Sequence, residues 1–266
     1  MAQNIASGSF SERVHIAPVG FEIDRVVLPF IKMKGERIHL IVRQDSNERG
    51  INCLEMIKED LKGTQKPYEI HKAELDLLKL IHTCRKIIDG ELNAGNHIFV
   101  NISSGGSIQG VACHFAALTF KKDVTAYYAY PEKYVEVVDP KRAQNSSGLS
   151  KIEIIPHYSI DLPTQKEISF LVLISQTRNP RKSALLKRCL EKGLFSVDGK
   201  SKPYGHVILE SKYIRPLEEK GLLVVEGRGR ESRIQLTEKG RNTLLLNGYD
   251  LQDPDPDLLN NLKKLN

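Results

Sequence analysis

The alternation of short β-branched runs with longer amphipathic segments constrains the first 160 residues more than any other feature of this chain. Apolar residues recur at helical spacing in the segments between the runs. Strands and helices that alternate in this way are typical of an α/β domain with a mainly parallel sheet. The predicted strands are 14–17, 38–42, 68–71, 97–102, 124–130, 134–138 and 152–155, and the predicted helices are 21–32, 51–61, 74–93 and 108–120.

Two details of this domain follow from the same patterns. The first helix is expected to turn Ile31 toward the core and Arg25 toward solvent, with Pro29 kinking or shortening it. The segment 140–150 is polar and rich in turn residues, so we expect an exposed loop there.

Composition excludes several classes of protein. No apolar run approaches the roughly 18 residues of a membrane span, and the first eleven residues lack the features of a signal peptide. The four cysteines form no C-x-x-C pair, and the eight histidines show no H-x-x-x-H spacing. We therefore expect a reducing, cytoplasmic compartment, no disulfide framework, no metal site and no resident cofactor.

The C-terminal part of the chain predicts three helices and a hairpin. The helices are expected at 164–176, with Pro163 at a first helical position, at 181–192 and at 206–220, after a polar connector at 197–205. Strands at 222–225 and 233–236 flank a Gly-Arg-Gly-Arg tip, and Thr237 caps a last helix. This order is typical of a winged helix-turn-helix domain.

The net charge of +6 is concentrated in this second part. Residues 161–245 hold 17 Lys/Arg against 10 Asp/Glu, whereas residues 1–160 are nearly balanced and the tail from 246 is acidic. Such an excess favours double-stranded DNA as a partner, although an ordinary charged surface on a small dimerisation domain is the alternative. The predicted DNA contacts are His206, Ser211, Lys212 and Arg215 on the third helix and Arg228, Arg230 and Arg233 on the wing.

Two loops of the α/β domain follow strands at the sheet edge where ligands bind in parallel α/β folds, namely 18–22 and 103–107. Glycines allow the backbone to approach a ligand, and the N–H groups that begin the following helix favour a phosphate. The alternative is a tight turn whose serines only cap that helix. The chain has no G-x-G-x-x-G, no P-loop motif and no G-x-S-x-G, so a dinucleotide, a P-loop nucleoside triphosphatase and an α/β-hydrolase are not indicated.

Three segments resemble the archaeal regulators that join a CRISPR-associated Rossmann-fold (CARF) domain to a winged helix. They are Val19-Gly20-Phe21-Glu22, then 101–107 (Asn-Ile-Ser-Ser-Gly-Gly-Ser), then 213–222 (Tyr-Ile-Arg-Pro-Leu-Glu-Glu-Lys-Gly-Leu), and the resemblance extends from Arg13 to about Leu245. It implies a homodimer that holds cyclic oligoadenylate, usually the tetramer, across its two-fold axis. The ligand contacts that it implies are Gly20, Phe21, Ser103, Ser104, Gly105, Gly106 and Ser107.

One departure from the family pattern bears on activity. Many relatives carry Lys or Arg immediately after the glycine-rich step, where this chain has Ile108 and Gln109. We therefore predict a ligand-responsive transcriptional regulator rather than an enzyme, with a ring nuclease that degrades cyclic oligoadenylate as the alternative. A DNA-binding protein with an empty CARF-like scaffold is a third reading. The expected domains are 1–160 (CARF-like), 161–248 (winged helix) and an acidic tail, 249–266.

Overall fold

The computed structural model describes residues 11–134, 144–158, 160, 162–177, 180–197 and 202–249. The chain divides into two compact units, Met1–Asp161 and Leu162–Asn266. Within the described ranges, no helix has both the length and the apolar character needed to cross a membrane.

A six-stranded sheet organises the first unit, in the order β3-β2-β1-β4-β5-β8. Every pairing in it is parallel except that of β8 with β5, so the prediction of a mainly parallel α/β sheet is confirmed. The strands are β1 (Arg13–Pro18), β2 (Arg37–Arg43), β3 (Tyr68–Ala73), β4 (His97–Asn101), β5 (Val124–Tyr130), the two-residue β6 (Lys133–Tyr134) and β7 (Ser146–Ser147), and β8 (Lys151–Ile154).

Four helices connect the parallel strands. Side chains of Asn47 and Asp76 accept hydrogen bonds from the first turns of the second and third helices, which fixes where each begins. The apolar face of β2 packs with the first two helices around Ile38, Leu40 and Ile57. The helices are α1 (Asp24–Lys32), α2 (Glu48–Thr64), α3 (Leu77–Asn93) and α4 (Ser107–Leu118).

The predicted orientation of α1 is wrong at two positions. Ile31 is 49% exposed, whereas Arg25 is 5% exposed. Arg25 is buried because its guanidinium donates to the Ala129 carbonyl at 2.9 Å and lies over the Tyr128 ring. A buried hydrogen bond of this kind comes from a strand more than 100 residues away, so helical periodicity does not report it.

The region after β5 also differs from the prediction. Lys133–Tyr134 pairs with Ser146–Ser147 in a separate small sheet and does not extend the main one; the rest of the predicted strand, 135–138, lies outside the described residues. The predicted exposed loop is wrong at Gln144 and Ser146, which are buried. The Gln144 side chain accepts from the Ile23 and Asp24 N–H groups at the start of α1, which draws this segment onto the domain.

The second unit is a winged helix domain, as the sequence predicts. In the described residues, four helical segments and a β-hairpin enclose a core that includes Phe170, Leu185, Ile234 and Leu244. The elements are α5 (Gln165–Ser175), α6 (Lys182–Glu191), α7 (Lys202–Leu209), a π-helical turn (Glu210–Ile214), α8 (Arg215–Glu219), β9 (Leu223–Glu226), β10 (Arg233–Leu236) and α9 (Glu238–Leu246).

Several boundaries in this unit are corrected. Thr164 is the N-cap of α5, so Pro163 lies before the helix and not at its first position. The third helix begins at Lys202, inside the predicted connector, whose residues 198–201 lie outside the described ranges, and it runs through the π-helical turn to Glu219. Gly193 and Gly221 adopt positive φ angles of 66° and 68°, which ends the helices before them as expected.

Candidate functional site

A cavity of about 490 Å³ opens beyond the carboxyl ends of β1 and β4. Both loops singled out in the sequence line it, so strand order brings together residues that are more than 80 positions apart. Of the predicted ligand contacts, those at the cavity wall are Gly20, Phe21, Ser103, Gly105, Gly106 and Ser107.

The two loops touch through their glycines. A Cβ atom on Gly20 would lie 2.8 Å from the Gly105 Cα, and one on Gly105 would lie 2.8 Å from the Pro18 Cβ. Gly105 also has a φ of 74°, which side-chain-bearing residues rarely adopt. These two positions therefore require glycine because the two loops pack closely against each other. Since neither glycine has a side chain, main-chain atoms form this part of the cavity wall.

Asn101 fixes the shape of the second loop. Its Oδ1 accepts from both the backbone N–H and the hydroxyl of Ser103, at 2.8 and 2.6 Å, and its Nδ2 donates to the Arg25 carbonyl. Ser104 is buried, and its hydroxyl has no hydrogen-bond partner among the described residues. Ser104 is thus the one predicted contact that the cavity wall does not include.

The N-terminus of α4 supplies the donors of the site. Gly106 is the N-cap, and its N–H donates to Gln109 Oε1 at 2.9 Å. In the part of the chain that the structure describes, the N–H groups of Ser107 and Ile108 are the ones left without an acceptor in the first turn, whereas those of Gln109 and Gly110 donate to the Gly106 carbonyl. Such groups, together with the helix dipole, favour a negatively charged oxygen at this point.

Two arginines line the cavity, and each has a carboxylate partner there. Arg25 lies 3.4 Å from Glu22, and Arg43 lies 2.9 Å from Asp45. The hydrogen bond from Arg43 is the main cause that holds the pKa of Asp45 below its usual value. Arg43 was not among the site residues predicted from the sequence, although its position at the carboxyl end of β2 was a usable signal.

One side of the cavity is closed by the segment at Asn145, which was also not among the residues predicted from the sequence. The backbone N–H of Asn145 donates to the Phe21 carbonyl at 2.8 Å. Arg49 lies over the Phe21 ring at 4.3 Å and donates to Asn145 Oδ1 at 2.6 Å. The Phe21 backbone is therefore tied to the Asn145 segment, while the Arg49 guanidinium covers the Phe21 ring.

The wing of the second unit presents arginines to solvent. The predicted contacts Arg228, Arg230 and Arg233 are all exposed. Gly227 and Gly229 adopt positive φ angles of 85° and 75°, so the tip turns sharply. The hairpin therefore carries a sharply turned, arginine-bearing tip on a packed base.

The predicted DNA contacts on the third helix differ in their exposure to solvent. Ser211, Lys212 and Arg215 are exposed, with the Ser211 hydroxyl donating to the Val207 carbonyl at 2.8 Å. His206 is half-buried, and burial, followed by the charges of Arg230 and Lys182, lowers its pKa. His206 therefore lies within electrostatic range of the wing.

Comparison with family models assigns the two parts of the chain separately. Residues 13–134 match the model described as "HFX_2341_N:-like, N-terminal", and residues 166–248 match the "DUF6293 C-terminal winged helix domain". The two matches fall separately on the α/β domain and on the winged helix domain, and each covers less than half of the chain.

Individual proteins are similar over part of their length. The uncharacterized protein MJ1513 of Methanocaldococcus jannaschii is 26% identical over 190 residues, which are 62% of this chain and 57% of that protein. The chain therefore spans little more than half of this relative.

The solved structures that are similar to this chain share little sequence identity with it. Csm6 from Enterococcus italicus, bound to cyclic hexa-2'-fluoro-hexa-dAMP, aligns with 47% of this chain and 35% of its own at 13% identity and a TM-score of 0.40. Protein VC1899 from Vibrio cholerae and Can2 from Sulfobacillus thermosulfidooxidans, the latter in complex with cyclic tetra-adenylate, each align with 89% of this chain and 64% of their own. Their identities are 10% and 12%, and their TM-scores 0.38 and 0.34.

Proposed function

We propose that this protein is a ligand-responsive DNA-binding transcriptional regulator whose first domain binds a cyclic oligoadenylate or a similar nucleotide. One observation carries the proposal: a cavity at a helix N-terminus, with main-chain donors at its wall, shares the chain with an exposed arginine-tipped wing. The first feature suits phosphate oxygens and the second suits the DNA backbone.

The charged side chains that line the cavity determine which groups can hold such a ligand. Because Arg25 and Arg43 each face a carboxylate, the side chains add little net positive charge. Recognition then rests on the N–H groups at the start of α4 and on bases that stack or pack against Phe21. Arg43 is half-exposed and sits at the rim, so it can exchange Asp45 for a ligand phosphate.

The same arrangement favours binding over cleavage. A ring nuclease needs a group that activates a nucleophile or stabilises the charge on the reacting phosphate. The Ser103 hydroxyl already donates to Asn101, and Arg25 is engaged with Glu22 and the Ala129 carbonyl. Incubation with labelled cyclic tetra-adenylate is expected to leave it intact, and turnover would favour the nuclease instead.

Substitutions in the wing test the DNA-binding part of the proposal. Arg228→Ala combined with Arg230→Ala should weaken binding to the protein's own promoter on the order of tenfold, and nearly equally for unrelated sequences. The slope of log K against log salt should fall by about 1.8, or ~0.9 for each lost phosphate contact. Fluorescence anisotropy over a salt series measures both quantities.

A matched control removes two cations from the other unit. Lys121 and Lys122 are exposed in the turn before β5, so Lys121→Ala with Lys122→Ala changes the net charge equally. This control should bind DNA like the wild type. Equal losses in the two double variants would show an unspecific charge effect and contradict the assignment of the wing.

The ligand-binding part is tested at Ser107, the first residue of α4. Ser107→Asp should abolish binding of an anionic ligand by repulsion while leaving the helix stable, since acidic residues favour the first turn. Ser107→Lys should strengthen binding, and Ser107→Asn should stay within a few-fold of the wild type. Calorimetry with cyclic tri-, tetra- and hexa-adenylate provides the measurement, and no binding by any of the three would favour the empty-scaffold reading.

The homodimer is also part of the proposal. α4 exposes Ile108 at 38% and Val111 at 57%, an apolar surface next to the cavity that a second copy would cover. Val111→Glu should convert a dimer into a monomer in a light-scattering measurement. A wild-type monomer at micromolar concentration would refute the symmetric pocket.

A further inference from the structure

Two histidines and a glutamate converge at the β3 edge of the sheet, away from the nucleotide cavity. His39 lies on β2, and Glu69 and His71 lie on β3. His39 Nδ1 is 2.9 Å from His71 Nε2 and 3.7 Å from Glu69 Oε2, and His71 Nε2 is 3.9 Å from the same oxygen. All three donor atoms therefore point at one small volume.

Strand register produces this convergence. β2 and β3 are parallel neighbours in which His39 pairs with Glu69 and Ile41 pairs with His71. Residues 69 and 71 are two apart on a strand, so they share a face of the sheet with His39. The histidines are separated by 32 positions in the sequence, which is why no local ligand spacing indicated them.

A fourth residue orients the buried histidine. Glu91, on α3, accepts from His39 Nε2 at 2.8 Å and is itself held by Arg37 at 2.9 Å and Asn96 at 2.6 Å. A carboxylate on Nε2 fixes the proton there, so the lone pair of Nδ1 can accept a hydrogen bond from His71 Nε2 or bind a metal ion. This carboxylate–histidine arrangement is the usual outer support of a metal-bound imidazole.

The spacing suits a tetrahedral ion. Zinc binds histidine nitrogen at about 2.0–2.1 Å, which places neighbouring ligand atoms about 3.3–3.4 Å apart. The three separations here, 2.9, 3.7 and 3.9 Å, bracket that value, so shifts of a few tenths of an ångström would complete three corners of the tetrahedron. The Glu69 side chain is 55% exposed, which leaves the fourth corner accessible to water.

We propose that His39 Nδ1, His71 Nε2 and Glu69 Oε2 form a site for a divalent transition metal ion of the zinc type, with Glu91 as the positioning residue. Two imidazoles and one carboxylate favour Zn²⁺ or Co²⁺ over Mg²⁺ and Ca²⁺, which prefer all-oxygen sites. A bound ion would tie the edge strand β3 to β2. The site is independent of the nucleotide cavity and of DNA binding.

The full-length protein, treated with a chelator and then dialysed, is titrated with Co²⁺ and with Zn²⁺. We expect one ion per chain, a visible absorption spectrum typical of four-coordinate Co²⁺, and displacement of Co²⁺ by Zn²⁺. His71→Gln and Glu69→Gln should each weaken binding at least about tenfold. Both residues are on an edge strand and only partly buried, so these variants should fold.

The control variant is His97→Gln, which removes an exposed histidine from the start of β4. It should keep the stoichiometry and spectrum of the wild type. Far-ultraviolet circular dichroism on every variant excludes unfolding as the cause of a loss. Binding that survives His71→Gln, or no binding by the wild type below about 10 µM, would overturn the site and leave a hydrogen bond between the two imidazoles in its place.

Discussion

His15 lies at the centre of the sheet of the first unit, on β1. Its ring stacks on Phe99, meets the edge of Phe30, and places Nδ1 3.1 Å from the Tyr127 hydroxyl. Burial, followed by the charge of Arg13, lowers the pKa of His15 to about 3. The folded protein therefore keeps this imidazole neutral where the unfolded chain, with an ordinary pKa near 6.5, would protonate it.

A pH dependence of stability follows from this residue. Because the folded-state pKa is depressed, its contribution is fully present above pH 6.5 and is lost as the pH falls from 6.5 toward 3. The unfolding free energy of the wild type minus that of His15→Gln should therefore drop by about 1.4 kcal/mol between pH 7.5 and 5.5. Urea titrations at the two pH values measure it, and a constant difference would show that His15 titrates normally.

The glycines of the cavity give a second prediction at this scale. Gly105→Ala should lower the unfolding free energy by roughly 1–3 kcal/mol, because the new Cβ meets Pro18 and φ is positive. Gly90→Ala is the control: it lies inside α3 with no atom within 4 Å of the added Cβ. That change should stabilise by about 0.5–1 kcal/mol. Destabilisation by both, to the same extent, would contradict the close approach of the two loops.

Among the elements, α5 has the best-defined start. Thr164 accepts from the Glu167 N–H, and Glu167 Oε2 accepts from the Thr164 N–H at 2.7 Å, so the two residues cap each other. Lys220, just after α8, donates to Glu167 Oε1 at 2.6 Å. Burial opposes ionisation of Glu167, but the Lys220 and Thr164 hydrogen bonds outweigh it and lower its pKa. The cap thus joins two helices of the winged helix domain.

Thr164→Ala should destabilise the winged helix domain by about 1 kcal/mol, since one hydrogen bond to the helix start is lost. Thr164→Ser keeps the oxygen and should cost only a fraction of that. Thermal unfolding of both variants, monitored by tyrosine fluorescence and far-ultraviolet circular dichroism, provides the comparison. An alanine variant as stable as the serine variant would show that the cap adds nothing.

At the level of the whole molecule, the proposed function requires that ligand and DNA binding be coupled. Thermodynamic linkage makes such coupling reciprocal: if cyclic tetra-adenylate changes the DNA affinity by some factor, DNA changes the ligand affinity by the same factor. Calorimetry of the ligand with and without saturating promoter DNA, set against anisotropy of DNA with and without ligand, measures the two factors. The two factors must agree at equilibrium, so their equality checks the measurements, and factors of one would refute a ligand-controlled regulator.

The sequence by itself determined the classes of the two domains and most of their elements. Strand β5, for example, has the predicted bounds, and Thr237 caps α9 as expected, because alternation, helical periodicity and caps are local properties. The two loops of the cavity could also be predicted from the sequence, since the ends of parallel strands meet at one edge of the sheet.

Only the tertiary structure decided which polar groups are buried and which groups are their hydrogen-bond partners. Arg25 and Gln144 look like solvent-facing residues in sequence, yet each finds a buried acceptor or donor contributed by a distant segment. The His39–His71 cluster likewise exists only because two strands are paired in one register. Local patterns report the preferences of neighbouring residues, whereas the compensation of a buried charge or dipole depends on groups that the fold brings from elsewhere.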